Sequence, residues 1–196
     1  MKKLFLFAGI MMLCSLLKAQ HTHVNFGVKG GLNIATLRSN SDDVNYKWKP
    51  SFNVGALAHI HVAEHIAIQP ELMYSGQGAK YSLLGDDVNI NLSYINLPVL
   101  FQYMFGDGFR LQTGPQVGFL LSANSKVSGN STDINDDLNT IDFSWVFGAS
   151  FVTPSGIGAD FRYNLGISNI NNVDADKIRN SVFAVGLFYQ FKGKEL

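Results

Sequence analysis

The chain has 196 residues, with 15 Lys and Arg against 15 Asp and Glu, 19 Gly and 15 Phe. A charged fraction of 15 % is low for a water-soluble domain, and the lack of any basic excess speaks against nucleic acid as a partner. A single cysteine excludes a disulfide framework, so the chain must be held together by other means.

The N-terminus reads as an export signal. Met1-Lys2-Lys3 is a short basic segment, Leu4 to Leu17 is an almost unbroken apolar run, and Lys18-Ala19-Gln20 returns to polar. The run falls short of the roughly 20 apolar residues that a spanning helix needs. Cleavage after Ala19 is expected, leaving 1–19 as signal and 20–196 as one domain. Cys14 raises a lipoprotein anchor instead, but bulky Leu13 stands where such a site takes a small residue. Removal of Lys2, Lys3 and Lys18 makes the mature chain mildly acidic, 12 bases against 15 acids.

From there on the chain alternates with period two, the signature of strands with two unlike faces. Strand one sets Val24, Phe26, Val28, Leu32 and Ile34 against His23, Asn25, Gly27, Lys29, Gly31 and Asn33. Strand two, Ser51 to Val62, carries Phe52, Val54, Ala56, Ala58, Ile60 and Val62 on its apolar face. Strand three, Ile66 to Gly76, opposes Ile66, Ile68, Leu72 and Tyr74 to Gln69, Glu71 and Ser75. Strand four, Asn91 to Phe105, opposes Ile95, Leu97, Val99, Phe101, Tyr103 and Phe105 to Asn96 and Gln102. Strand five, Phe109 to Ser122, opposes Leu111, Val117, Phe119 and Leu121 to Arg110, Gln112, Gly114, Gln116 and Gly118. Strands six (Ile141 to Phe151), seven (Ile157 to Ser168) and eight (Asn180 to Lys192) repeat the pattern, with Asp142, Asp160, Arg162 and Lys192 on their polar faces. Pro70, Pro98 and Pro115 lie inside predicted strands, where each removes a ladder donor, so bulges or irregular pairing are expected there.

The connections alternate in length. Ala63-Glu64-His65, Gly106-Asp107-Gly108 and Thr153-Pro154-Ser155-Gly156 are tight, whereas Leu37–Pro50, Gln77–Ile90, Ala123–Thr140 and Asn171–Arg179 read as longer polar loops. An even number of strands with short turns at one end and long loops at the other is the outer-membrane pattern. A soluble lipocalin-like barrel also alternates, with its apolar face inside. Three features favour the membrane: a polar face of Gly, Ser, Asn and Gln, aromatic residues near strand ends, and the systematic loop asymmetry. The expected fold is all-β, an eight-stranded antiparallel closed transmembrane barrel with short periplasmic turns and longer external loops, located in the cell outer membrane. Closure satisfies every backbone group in hydrocarbon, and the lipid-facing stripe is expected to stand in for a core.

Several stretches carry a resemblance: FGVKGGLNIATL (Phe26–Leu37), IQPELMYSGQGAK (Ile68–Lys80), YINLPVLFQYMF (Tyr94–Phe105), LQTGPQVGFLLSA (Leu111–Ala123) and FRYNLGISNI (Phe161–Ile170). Together they resemble the outer-membrane β-barrel family common in Bacteroidetes, often called PorT-like. The C-terminus departs from the pattern, since Phe191 is followed by five further residues. The resemblance implies the fold and the location, and, for a few members, a part in secretion or gliding machinery. It carries no residue-level function.

The candidate site is the lumen. Lys29, Glu71, Arg110, Asp142, Asp160, Arg162 and Lys192 all fall on the polar face. A barrel of eight strands has an interior that side chains fill, so these charges are expected to pair and plug it; a narrow ion path is the alternative. His23, His59 and His61 form a weak metal candidate near the periplasmic end, because imidazoles in an H-x-H pair can ligate Zn²⁺ or Cu²⁺. The acidic runs Asp133-Ile134-Asn135-Asp136-Asp137, Asp86-Asp87 and Asp174-Ala175-Asp176 offer oxygen ligands but lack calcium-loop spacing and read as solvated turns. No catalytic motif appears, so neither enzyme activity nor a cofactor is expected. The expected partners are outer-membrane lipid and other envelope or secretion-machinery proteins. The expected role is structural or interactive, with a secretion or gliding accessory, and then an envelope enzyme or narrow channel, as alternatives.

Overall fold

Alternation of apolar and small polar residues makes each segment a strand whose two faces need different surroundings. The computed structural model describes residues 23–40, 45–83, 86–127, 129–173 and 176–191. The export segment, Cys14 and Lys192 lie outside the described residues. The strands are β1 (Val24–Ser39), β2 (Lys49–Ala63), β3 (Ile66–Leu83), β4 (Asp86–Met104), β5 (Phe109–Val127), β6 (Asn130–Asp133), β7 (Ile141–Val152), β8 (Ile157–Gly166) and β9 (Ile178–Gln190).

All pairings are antiparallel. The order β4-β3-β2-β1-β9-β8-β7-β5 closes on itself through a β4–β5 ladder, giving a ring of eight strands. The four-residue β6 lies outside the ring, on the end of β5. The seam between the first and last strands runs from Gly27↔Gln190 to Ser39↔Ile178 without a register shift. The ring therefore has no open edge, as a backbone surrounded by hydrocarbon requires.

The apolar stripe faces outward. Phe26 and Leu187 are 65 % and 66 % exposed, while Lys29, Glu71, Asp160 and Arg162 on the other face are buried. In water so large an exposed apolar girdle would be untenable; against lipid it is the stabilising surface. Several polar groups on that face are paired. The Trp145 indole N–H donates to Thr113 Oγ1 at 2.8 Å, and Thr113 donates to the Val146 carbonyl at 2.9 Å. The Tyr163 and Ser181 hydroxyls lie 2.8 Å apart, and those of Tyr74 and Ser93 3.0 Å apart.

Two expectations need correction. Gln77–Ile90 is not a polar loop: β3 and β4 continue through it in register to Leu83↔Asp86. Likewise β5 runs on to Val127, and β6 occupies part of the expected loop Ala123–Thr140. In β3 and β5 the extensions hardly alternate, whereas in β4 Val88, Ile90, Leu92 and Tyr94 alternate with Asn89, Asn91 and Ser93 but turn their apolar side chains inward; backbone pairing with an already formed neighbour maintains all three. At the prolines the expectation of irregular pairing holds in part: rungs are missing beside them, but no bulge shifts the register. Pro70↔Val99, Pro98↔Gln116 and Pro115↔Trp145 are aligned pairs, and the ladders merely skip rungs, between Leu57↔Glu71 and Ile60↔Ile68 for example. Long ladders on both sides of each gap outweigh one missing donor. The actual irregularities lie beside the β2–β3 turn, between His61 and Ala63, and at Ser93–Tyr94, where Leu121 of β5 is the extra residue.

Candidate functional site in the barrel lumen

Four of the predicted charges meet. Arg162 on β8 donates from both terminal nitrogens to the two Glu71 oxygens on β3, each at 2.7 Å. In the ring order β8 and β3 stand on opposite walls, so this bidentate pair crosses the whole lumen. Asp160, two residues before Arg162, accepts a close contact from Lys29 of β1 and lies 2.5 Å from Arg162 Nε. Two cations and two carboxylates thus form one neutral cluster, and all four residues are buried. A buried ion pair is tolerated only with such geometry and further hydrogen bonds. Those come from amides: Gln69 donates to Glu71 at 2.7 Å, Gln112 to Asp160 at 3.4 Å, and Gln102 to Gln112 at 2.9 Å.

Inward glycines make room for this cluster. Gly148 sits between Gln112 and Arg162 in one cross-strand row, and a Cβ there would stand 3.0 Å from Arg162 Cγ and 2.5 Å from the Phe161 carbonyl. Gly186 lies directly opposite both Gly31 and Asp160, where a Cβ would come 2.9 Å from the Gly30 carbonyl.

Arg110 and Asp142 lie apart from the cluster, and no salt bridge joins either to a described residue. Arg110 donates to Gln190 Oε1 at 3.2 Å and has a nitrogen 3.4 Å from His59 Nδ1. Asp142 accepts from Asn180 at 2.8 Å and from Ser168 at 2.7 Å. Each charge is therefore held by neutral polar groups rather than by an opposite charge.

The histidines come together only in part. His59 is fully buried, its Nδ1 3.2 Å from Gln69 Oε1, and its ring meets that of His61 edge to face at 4.6 Å between centroids. His23 is exposed and reaches His61 only through its backbone carbonyl, which accepts the His61 N–H at 3.2 Å. Among the described residues no three His, Cys, Asp or Glu side chains form a metal-ligating group.

Above the cluster the lumen holds a cavity of about 30 Å³ lined by Asn53, Ser75, Asn96, Arg162 and Asn164, among others. That is room for about two or three waters, since one needs about 10–15 Å³ by this measure. The unpaired Asn53 and Asn164 carbonyl oxygens give such waters acceptors. Toward the outer mouth the filling turns apolar. Leu37, Ala79, Leu92, Tyr94, Ala123 and Ile170 form a buried cluster, and Tyr46, Leu120, Ile134 and Leu138 pack against it. The stripe facing lipid is thus not the sole apolar packing. This cap combines strand ends with residues of predicted loops; alternation marks only its β4 members, Ile90, Leu92 and Tyr94, whose parity points inward.

Residues 18–172 match the sequence profile described as outer membrane protein beta-barrel domain. No curated protein matches the chain significantly. Among solved structures, Neisserial surface protein A is similar, with 15 % identity over 86 % of this chain and 99 % of that one and a TM-score of 0.56. So is Ail, the attachment invasion locus protein of Yersinia pestis, solved with the heparin analogue sucrose octasulfate: 10 % identity over 86 % of this chain and 99 % of that one, TM-score 0.50. At these identities the structures speak for the fold alone, and the profile match speaks for the family. With its closed ring, its apolar outer girdle and its filled polar interior, the chain belongs to the outer membrane protein beta-barrel domain family and is an integral protein of the outer membrane.

Proposed function

We propose that this barrel is a non-conducting protein of the envelope whose role is structural and interactive, with the lumen closed by its own side chains. The observation that carries this is the Arg162–Glu71 pair across opposite walls. An ion passing that level would have to part a bidentate buried pair, at a cost of several kcal/mol, and would then meet the apolar cap around Leu92 and Tyr94. Two barriers of different chemistry lie in series. The reading assigns no catalytic step: the lumen hydroxyls of Ser75 and Ser144 accept hydrogen bonds from Asn33 and Gln116, neither of which is a base.

Purified barrel reconstituted in planar bilayers in concentrated potassium chloride tests the proposal. Silence is expected. Reproducible conductance steps that disappear in Glu71→Gln or Arg162→Gln would overturn it.

The PorT-like stretches quoted above favour a second reading, an accessory of secretion or gliding machinery. A deletion strain separates the two. Cargo retained in the periplasm supports the accessory; intact export with a leaky envelope supports the structural barrel.

A further inference from the structure

Beyond the membrane band, three lysines stand in one row. Lys47 and Lys80 are directly opposite each other, joined by both backbone hydrogen bonds at 2.6 and 3.1 Å. Lys80 is in turn opposite Asn89 of β4, which is opposite Lys126 of β5. Ala79 and Ile90, one position away, turn inward to the apolar cap, so Lys80, Asn89 and Lys126 turn outward. Lys80 and Lys126 are both exposed. Adjacent strands are spaced about 4.8 Å, which puts the Lys80 and Lys126 backbones about 10 Å apart.

Like charges directly opposed across a ladder are destabilising. Lys47 reaches Ser82 Oγ at 3.4 Å, and Ser82 donates to Asp87 at 3.0 Å, so Lys47 meets Asp87 through a hydroxyl. Asp133 on neighbouring β6 accepts from the Asn135 backbone. None of the three lysines forms a salt bridge with a described residue.

The height of the row says what it faces. The lipid-facing apolar run of β3 ends at Tyr74, and Gly76 and Gly78 follow. Lys80 lies six residues beyond Tyr74, roughly 15 Å higher for a strand tilted by about 40°. That is above the hydrocarbon, at the level of headgroups and their sugars, and long lysine side chains reach down toward it.

We propose that the row Lys47–Lys80–Asn89–Lys126 binds the phosphate-bearing saccharide headgroup of an outer-leaflet glycolipid. The proposal goes beyond the closed lumen and stands whether or not the barrel conducts.

The full mature barrel in detergent is titrated with rough-type lipopolysaccharide, intact and after its phosphates are removed with hydrogen fluoride, and bound lipid is counted by native mass spectrometry. Intact lipid is expected to bind at least about tenfold more tightly, with the preference weakening as salt rises. Lys80→Gln/Lys126→Gln lowers affinity for intact lipid about thirtyfold, whereas Lys177→Gln, near the β1 end of the rim, leaves it unchanged. Folding of each variant is checked by its heat shift on gels, and Lys126→Gln alone serves if the pair does not fold. Equal binding of both lipids, no loss in the lysine variants, or an equal loss in Lys177→Gln overturns the proposal. So does binding of soluble heparin in place of lipid, which would make the row a polysaccharide site.

Discussion

Removing one partner of the pair that crosses the lumen should be among the costliest single changes in this barrel. Glu71→Gln leaves Arg162 and Lys29 facing Asp160 alone, so a neutral cluster acquires a net positive charge within the buried lumen. Two charge-assisted hydrogen bonds of 2.7 Å are lost, each worth about 1.5–3 kcal/mol. The general cost of breaking a buried pair is about 3–5 kcal/mol, and the two estimates agree. Arg162→Gln should cost about as much, because Glu71 then keeps only Gln69. The double variant Glu71→Gln/Arg162→Gln restores neutrality and lets two amides meet across the lumen, so its cost should stay near that of one single variant. The expected coupling is about 2 kcal/mol or more. Urea unfolding in phospholipid vesicles, followed by the fluorescence of Trp48 and Trp145, measures all four proteins. Single variants that cost less than about 1 kcal/mol, or costs that simply add, would refute the idea that the charges hold one another.

Other outcomes follow from the same geometry. Gly148→Val should cost about 3 kcal/mol or more, because its side chain needs the space that Arg162 and the Phe161 carbonyl occupy; the same unfolding assay reads it. At the periplasmic turn, Gly108 has φ +92° and a Cβ there would stand 2.1 Å from the Val152 carbonyl, so Gly108→Ala should cost about 1–3 kcal/mol. Asp107 has φ +64°, and Asp107→Gly should change unfolding free energy by less than about 0.5 kcal/mol, relief of the left-handed conformation being offset by a freer unfolded chain. Trp145→Phe strips Thr113 of its donor on the lipid face and should cost about 0.5–1.5 kcal/mol; a Thr113→Val background should abolish most of that cost. Leu92→Ala, in the cap, should cost about 2–3 kcal/mol and leave bilayers silent, since the ion cluster below it is untouched.

Period-two alternation already settled most of this architecture. It is a local property: each strand's neighbours in sequence say which face is apolar, and eight such strands with alternating connections admit few closed arrangements. The faces of β1, β7 and β8 are legible residue by residue, Phe26 and Val28 outward and Lys29 inward, Asp160 and Arg162 inward and Phe161 outward. What alternation cannot say is which inward residue meets which. Glu71 and Arg162 are 91 residues apart, and Lys29 and Asp160 131 apart. Their meeting depends on the relative stagger of strands around the ring, a property of the closed sheet and of no single strand. The same holds for the glycines. Gly148 and Gly186 read as ordinary polar-face positions in sequence, and only closure shows them as the space into which a guanidinium and a carboxylate fit. The apolar cap was illegible for a further reason: Leu37, Ala123 and Ile170 come from strand ends and loops whose inward direction the tertiary fold alone decides. Arg110 and Asp142 end beside neutral partners because each is the second residue of its strand, Arg110 next to the Gly106–Gly108 turn and Asp142 just after the long loop, at opposite ends of the lumen. Sequence determined that this chain closes into a two-faced barrel; the stagger of the closed ring decided which of its charges hold one another.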